Sequence, residues 1–179
     1  MNRLIAFYLG SHPDDRGRML AGILRQDDVW LELTHDYIQW LFPLSEPSRV
    51  NRDAPLVDPA TAALFRTDDL LKRHLMASYV RMLSFFGLQR GVGGDVVKAG
   101  NWEERKADWF THDSHNSLRI TRILKSLALL GLGDEAQKFG SSLKRLCADE
   151  PDAGTNSTAQ RFWADAVRTE PLQGQVPQR

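Results

Sequence analysis

Along this chain apolar residues recur every three or four positions rather than every second one. That is the spacing of one helix face, at roughly 100° per residue. The clearest stretch is HNSLRITRILKSL, His115 to Leu127. Ile120, Ile123, Leu124, Leu127 and Leu130 share one side; His115, Arg119, Arg122 and Ser126 line up on another. The first side predicts a seat in a core. The second predicts hydrogen bonding, either to a ligand or to a neighbouring helix.

Similar stripes run through most of the sequence. Leu4 to Gly10 reads as a first buried segment. Pro13, Asp14 and Asp15 predict a helix start, with proline at the first position and acids at the positive dipole end. Met19, Leu20, Ile23 and Leu24 would face inward from it. Asp27 or Asp28 is expected to cap a helix that runs to Phe42, where Pro43 stops it. Trp30, Leu33, Tyr37, Trp40 and Leu41 cover one side of that helix, and Leu31, Ile38 and Phe42 a second. A helix so apolar around its circumference belongs in the middle of a fold.

Residues 43–58 hold Pro43, Pro47 and Pro55 without a clear period and predict a rigid connection. Asp58-Pro59 begins a short helix to Arg66. Thr67 is read as the cap of a longer one, striped by Leu71, Leu75, Tyr79, Met82 and Phe86 and stopped at Gly87. Gln89 to Gly100 is glycine-rich and predicts a flexible loop. With no strand before it and no Gly-Lys-Ser/Thr after it, it is not a phosphate cradle. Asn101 to Phe110 predicts a short helix whose Trp102 and Trp109 would line a groove. Asp134 opens a helix with Ala136, Phe139, Leu143, Leu146 and Cys147 inside. Residues 149–156 read as a loop, and Ser157 to Arg168 as a last helix burying Phe162, Trp163 and Val167. The expectation is an all-α, single-domain irregular bundle of about six to eight helices over residues 1–168. Residues 169–179 are expected to be a disordered tail.

Composition narrows the function classes. With 179 residues the chain can bury one sizeable core. Lys+Arg and Asp+Glu both number 23, and this balance argues against a strong general attraction to nucleic acid. Cys147 is the only cysteine, so no internal disulfide forms, and a reducing, cytoplasmic setting fits best. The longest opening apolar run is too short to span a bilayer, which takes about 20 residues.

Three blocks carry a resemblance. FYLG with PDDRGR (Phe7 to Arg18), THDYIQWLFPL (Thr34 to Leu44) and HNSLRITRILKSLALLGL (His115 to Leu132) resemble the conserved region of the opioid growth factor receptor family. APL at Ala54 and MLSFFGL at Met82 fall between them in the same order. The resemblance implies a receptor linked to the pentapeptide methionine enkephalin and to restraint of growth. It also implies association with the nucleus or nuclear membrane, and so a peripheral membrane contact. Unlike the long animal members, this sequence shows no C-terminal repeat array and no dense Lys/Arg cluster. The resemblance supplies no ligand-contacting residues.

Those come from the residues themselves. Glu32, His35, Asp36 and Gln39 form a polar column on the expected central helix. As a ligand surface, an acid there would pair with a peptide amine and Gln39 would bond its backbone. His115, Arg119 and Arg122 form a second column that could fork onto an anion such as a peptide carboxylate. The competing reading is an internal tie between helices. Asn116 lies nearer the apolar side, and Asn51 lies nearby in the proline-rich connection. The nine residues bound a candidate cleft for a peptide or protein segment in a non-catalytic module. No cofactor is called for. His112 and His115 with His35 or Asp113 form a weak metal motif, without a His-Glu-x-x-His pattern or cysteine pair. Two alternatives remain open: an enzyme using His35 or His115 as acid/base, or phosphate contacts through Arg119, Arg122 and Lys125. A patch at Ile38 and Phe42, if exposed, would favour a homodimer.

Overall fold

The structure is a computed structural model that describes residues 2–48, 50–111, 114–151 and 157–170. It is a mostly helical single domain, with ten helices and one two-stranded hairpin among the described residues. In chain order these are α1 (Arg3–Tyr8), α2 (Leu20–Leu24), α3 (Asp28–Leu33), α4 (Ile38–Leu41), α5 (Pro59–Thr67), α6 (Asp69–Phe85), β1 (Leu88–Arg90), β2 (Val96–Lys98), α7 (Trp102–Trp109), α8 (Asn116–Leu129), α9 (Gly133–Asp149) and α10 (Ser157–Ala166). The all-helical class agrees with the sequence. The number of helices is higher because the expected central helix breaks in two and the opening buried segment forms a helix of its own.

Two subclusters meet at the middle. α1, α2 and α5 pack on α6, while α9 and α10 pack on α8. The segment from α3 to Pro43 lies between them. Phe7 packs against Trp40 with ring centroids 5.0 Å apart and the planes tilted by 59°, and Ser126 on α8 donates to the Pro43 carbonyl. Every apolar residue of the α8 stripe is buried.

The central helix expected from Asp27 to Phe42 is not continuous. Asp27 caps its start by accepting from the Trp30 N–H, but Thr34 is extended. The cause is tertiary. A helix continuing through this point would need the carbonyls of Leu31, Glu32 and Thr34 as acceptors for residues four positions on. Here the Tyr37 hydroxyl donates to the Leu31 carbonyl, and Arg119 of α8 donates to those of Glu32 and Thr34. Backbone acceptors must be satisfied, and side chains from elsewhere satisfy these. Leu33, placed in the core by the pattern, is 74% exposed as a result.

A second expected helix start, at Pro13, is instead a closed turn. The Asp14 carboxylate accepts from the Arg16 and Arg18 N–H groups and from the Arg18 guanidinium. Such local side-chain bonds compete with helix formation, and Gly17 adopts a left-handed φ of 77°. The helix therefore begins only at Leu20.

Other corrections are smaller. Asp68, not Thr67, caps α6, because its carboxylate reaches the Leu70 and Leu71 N–H groups while the Thr67 hydroxyl turns back to α5. The glycine-rich stretch forms a hairpin pairing Gln89 with Val97, with Leu88 and Val96 turned inward. Trp102 and Trp109 do not line a groove: both are buried, and Trp109 donates to the Phe86 carbonyl to close the end of α6. Phe162 is 54% exposed; Trp163 alone carries that helix's aromatic contact inward, donating to the Ser117 carbonyl. Ile38 and Phe42 are buried, so they form no surface patch for a homodimer. Most of the expected tail and of the loop before α10 lies outside the described residues, as do His112 and Asp113. No described helix is long and apolar enough to cross a membrane.

Candidate functional site

The polar face of α8 and the broken segment 32–48 meet along one seam. Arg119, 4% exposed, sits at its centre. Its guanidinium donates to the Glu32 and Thr34 carbonyls, to Asn116 Oδ1 at 3.1 Å and to His35 Nδ1 at 2.9 Å. Asn116 in turn donates to the Glu32 carboxylate at 3.1 Å. His115 Nε2 lies 3.0 Å from the same carboxylate. Thus Glu32, His35, His115, Asn116 and Arg119 form one network. The internal tie, rather than a ligand, accounts for Arg119 and Asn116.

Farther along α8, Arg122 donates to the Phe42 carbonyl at 3.1 Å. With Ser126 it closes the carbonyl end of α4. The candidate helix for phosphate contact is therefore largely turned inward, since Arg119 and Arg122 spend donors on the protein's own backbone. Lys125 is bound by Glu46 at 2.8 Å.

The remaining candidates divide. The expected column Glu32, His35, Asp36 and Gln39 does not exist as a helix face, because the break at Thr34 turns its members apart. Asp36 points to the other side, where Arg16 and Arg18 bind it at 3.0 and 2.8 Å. Asn51 donates to Asp15 Oδ2 at 3.3 Å and lies near the Asp36 carbonyl. Gln39 is 4% exposed and its amide nitrogen lies 3.5 Å from Ser48 Oγ. Its Oε1 is buried with no partner among the described residues.

Beside the seam runs an open groove of about 450 Å³. One wall is His35, Ile38, Gln39, Leu44 and the residues 46–48 and 50; the other is His115, Leu118, Arg119, Thr121, Arg122 and Lys125. Five of the nine candidates therefore share it: His35, Gln39, His115, Arg119 and Arg122. Glu32, Asp36, Asn51 and Asn116 do not line it. Leu118 and Val50, 70% and 74% exposed, give its edges apolar surface. Leu118 was overlooked among the candidates, although it falls out of phase with the buried stripe of α8 and so was legible as an outward leucine.

Electrostatics follow from these neighbours. Burial lowers the His35 pKa, and Arg119 and His115 lower it further. Its Nδ1 accepts from a guanidinium and is a poor place for a proton. Partial burial pushes the Asp36 carboxyl up, but hydrogen bonds from Arg18 and Arg16 outweigh it and hold it below its ordinary value. The Lys125 hydrogen bond likewise lowers Glu46. His35 and His115 meet edge to face at 5.2 Å, yet no group of three metal-ligating side chains assembles among the described residues.

The model of the opioid growth factor receptor (OGFr) conserved region matches residues 9–162. The chain belongs to the opioid growth factor receptor family. It is 41% identical over 148 residues to the opioid growth factor receptor of Homo sapiens, covering 77% of this chain and 20% of that protein. It is 45% identical over 105 residues to opioid growth factor receptor-like protein 1 of Mus musculus, covering 56% of this chain and 22% of the relative. The chain thus spans about a fifth of the length of these curated relatives. No solved structure matches it. All nine candidate residues, and the whole groove, lie inside the matched opioid growth factor receptor region.

Proposed function

We propose that this chain is a non-catalytic, receptor-like helical module that binds a peptide or protein segment in the groove between residues 35–50 and α8. The module is taken to span residues 1–168. The observation that carries the reading is the Gln39 Oε1 atom, a buried acceptor left without a donor in the wall of an open groove. An unsatisfied buried acceptor costs about 1–3 kcal/mol. A ligand backbone N–H would remove that cost, and Leu118 and Val50 offer apolar surface to its side chains. The arrangement around the histidines supports binding over catalysis. His35 spends its Nδ1 lone pair on Arg119, and His115 is engaged by Glu32. The curated relatives are named receptors, which agrees in kind with a binding role.

Methionine enkephalin, the peptide the family resemblance points to, is the first probe. Calorimetry with the full chain is expected to show saturable binding that Leu118→Lys weakens about tenfold while melting stays unchanged. Amide shifts in NMR are expected to cluster along the groove. Binding with shifts confined elsewhere, or unaffected by Leu118→Lys, would refute the groove assignment. No binding by this peptide or by a mixed-sequence peptide array would refute the module itself.

A further inference from the structure

Among the described residues, the charges around the groove do not balance. Arg119 is answered by backbone carbonyls and by Glu32 at 3.8 Å, His115 by the same carboxylate, and Lys125 by Glu46. Arg122 makes one hydrogen bond, to a neutral carbonyl, and pairs with no carboxylate among the described residues. Burial lowers its pKa, and the one charge that opposes this, Glu46, is already held by Lys125. A guanidinium offers five N–H donors in a fixed fork. A partly desolvated one without a counter-ion is poised to gain from a carboxylate, which it binds in a bidentate manner.

Gln39 has the opposite need. Its unpartnered Oε1 takes only a donor; the residue lines the same groove, and since the atom itself is buried a donor reaches it once the side-chain amide turns outward. One wall therefore calls for an N–H and the other for an anion. A small chemical unit that supplies both is an acylated amino acid, whose amide N–H and carboxylate are joined through Cα alone at a chain terminus, or through Cα and Cβ in an aspartate side chain. We infer that the groove seats a carboxylate-bearing peptide residue, its carboxylate on Arg122 and its amide N–H on Gln39. This rests on the peptide-binding reading above and gives the ligand its chemistry. The carboxylate comes from a chain terminus or an acidic side chain.

The test uses the full chain, 15N-labelled, and follows the Arg122 Nε–H and Gln39 side-chain amide signals. The probes are N-acetylglycine, its methylamide, N-acetylaspartate α-methylamide and inorganic phosphate. N-acetylglycine or the aspartate probe is expected to shift both signals saturably, at least tenfold more tightly than the neutral methylamide. The tighter of the two names the source, terminus or side chain. Arg122→Gln is expected to abolish the response, and Arg122→Lys to keep part of it. If Arg122→Gln fails to fold, the acid-versus-methylamide comparison on the parent decides. Equal response to acid and methylamide overturns the inference, as does no response or a response to phosphate as strong as to the acids. Failure is separable from that of the wider reading. Peptides that bind equally as acid and amide leave the peptide module standing without this seat. Small acids that bind where no peptide does leave the seat without the module.

Discussion

The buried cation Arg119 holds the centre of this molecule. Arg119 collects two backbone carbonyls and a histidine nitrogen from a segment more than 80 residues away in the chain, and the Asn116 amide oxygen from its own helix. Removing it leaves those acceptors buried and empty, so Arg119→Met is expected to cost about 3–5 kcal/mol, read from the urea midpoint. It would also loosen the groove wall, and loss of binding in that variant would say nothing of direct contact. Leu118→Lys, on the exposed side of the same helix, is expected to change stability by no more than about 0.5 kcal/mol. Gly87 is a second sensitive position. Its φ is 73°, and a Cβ there would lie 2.9 Å from the Trp102 Cα. Left-handed strain alone costs roughly 1–2 kcal/mol, so Gly87→Ala is expected to lose at least about 2 kcal/mol in the same measurement. The stop at Gly87 was legible in the sequence because a glycine follows a complete helical stripe. The role of Arg119 was not, since the pattern puts it on a polar face and cannot say whether water, ligand or protein meets that face.

At the level of elements, stripes that end in clear punctuation read correctly. α6 and α9 lie close to where their apolar spacing and flanking residues place them. Elements held by distant side chains did not. The α3–α4 break needs Arg119, and the 13–18 turn needs Asp14 to outcompete a helix. Asp14, 4% exposed, holds two backbone N–H groups and the Arg18 guanidinium, which passes on to Asp36. Asp14→Ala is expected to cost about 2–3 kcal/mol, since charged hydrogen bonds and buried donors are lost together. Hydrogen exchange should show the Arg16 and Arg18 amides losing protection first, while the α8 amides keep theirs. The hairpin escaped the sequence for a different reason: three-residue strands are too short to display a period of two.

For the whole molecule, distant parts are tied by a few charged clasps on a neutral chain. Glu150, at the end of α9, accepts from Lys98 of β2 and from Trp102 and Lys106 of α7. The Lys98 and Lys106 hydrogen bonds hold its carboxyl down at about 2, against an ordinary value of 4.5. A carboxyl depressed in the folded state contributes stability above its unfolded pKa. That contribution is lost as pH falls through the folded value. The urea midpoint is therefore expected to drop between about pH 4.5 and pH 2, and Glu150→Gln should remove part of that drop while changing the midpoint little at the lowest pH. The cluster joins three elements, so its loss should appear as reduced protection of the hairpin and α7 together.

What the sequence determined by itself was the class of fold, the buried stripes and several helix boundaries, because periodicity and caps act over a few residues. Five of the nine candidate residues line one groove, but His35 and Gln39 reach it through the broken segment and not through the helix face that the pattern expected. Only the tertiary structure decided which polar groups are spent internally. Arg119, Asn116 and Asp36 find their partners in other segments, and a backbone carbonyl freed from its helix is invisible until the donor that takes it is in place. The same long-range bonding left Gln39 and Arg122 with unmet capacity in the groove, for the physical reason that a local pattern records which side chains are polar but not which are already satisfied.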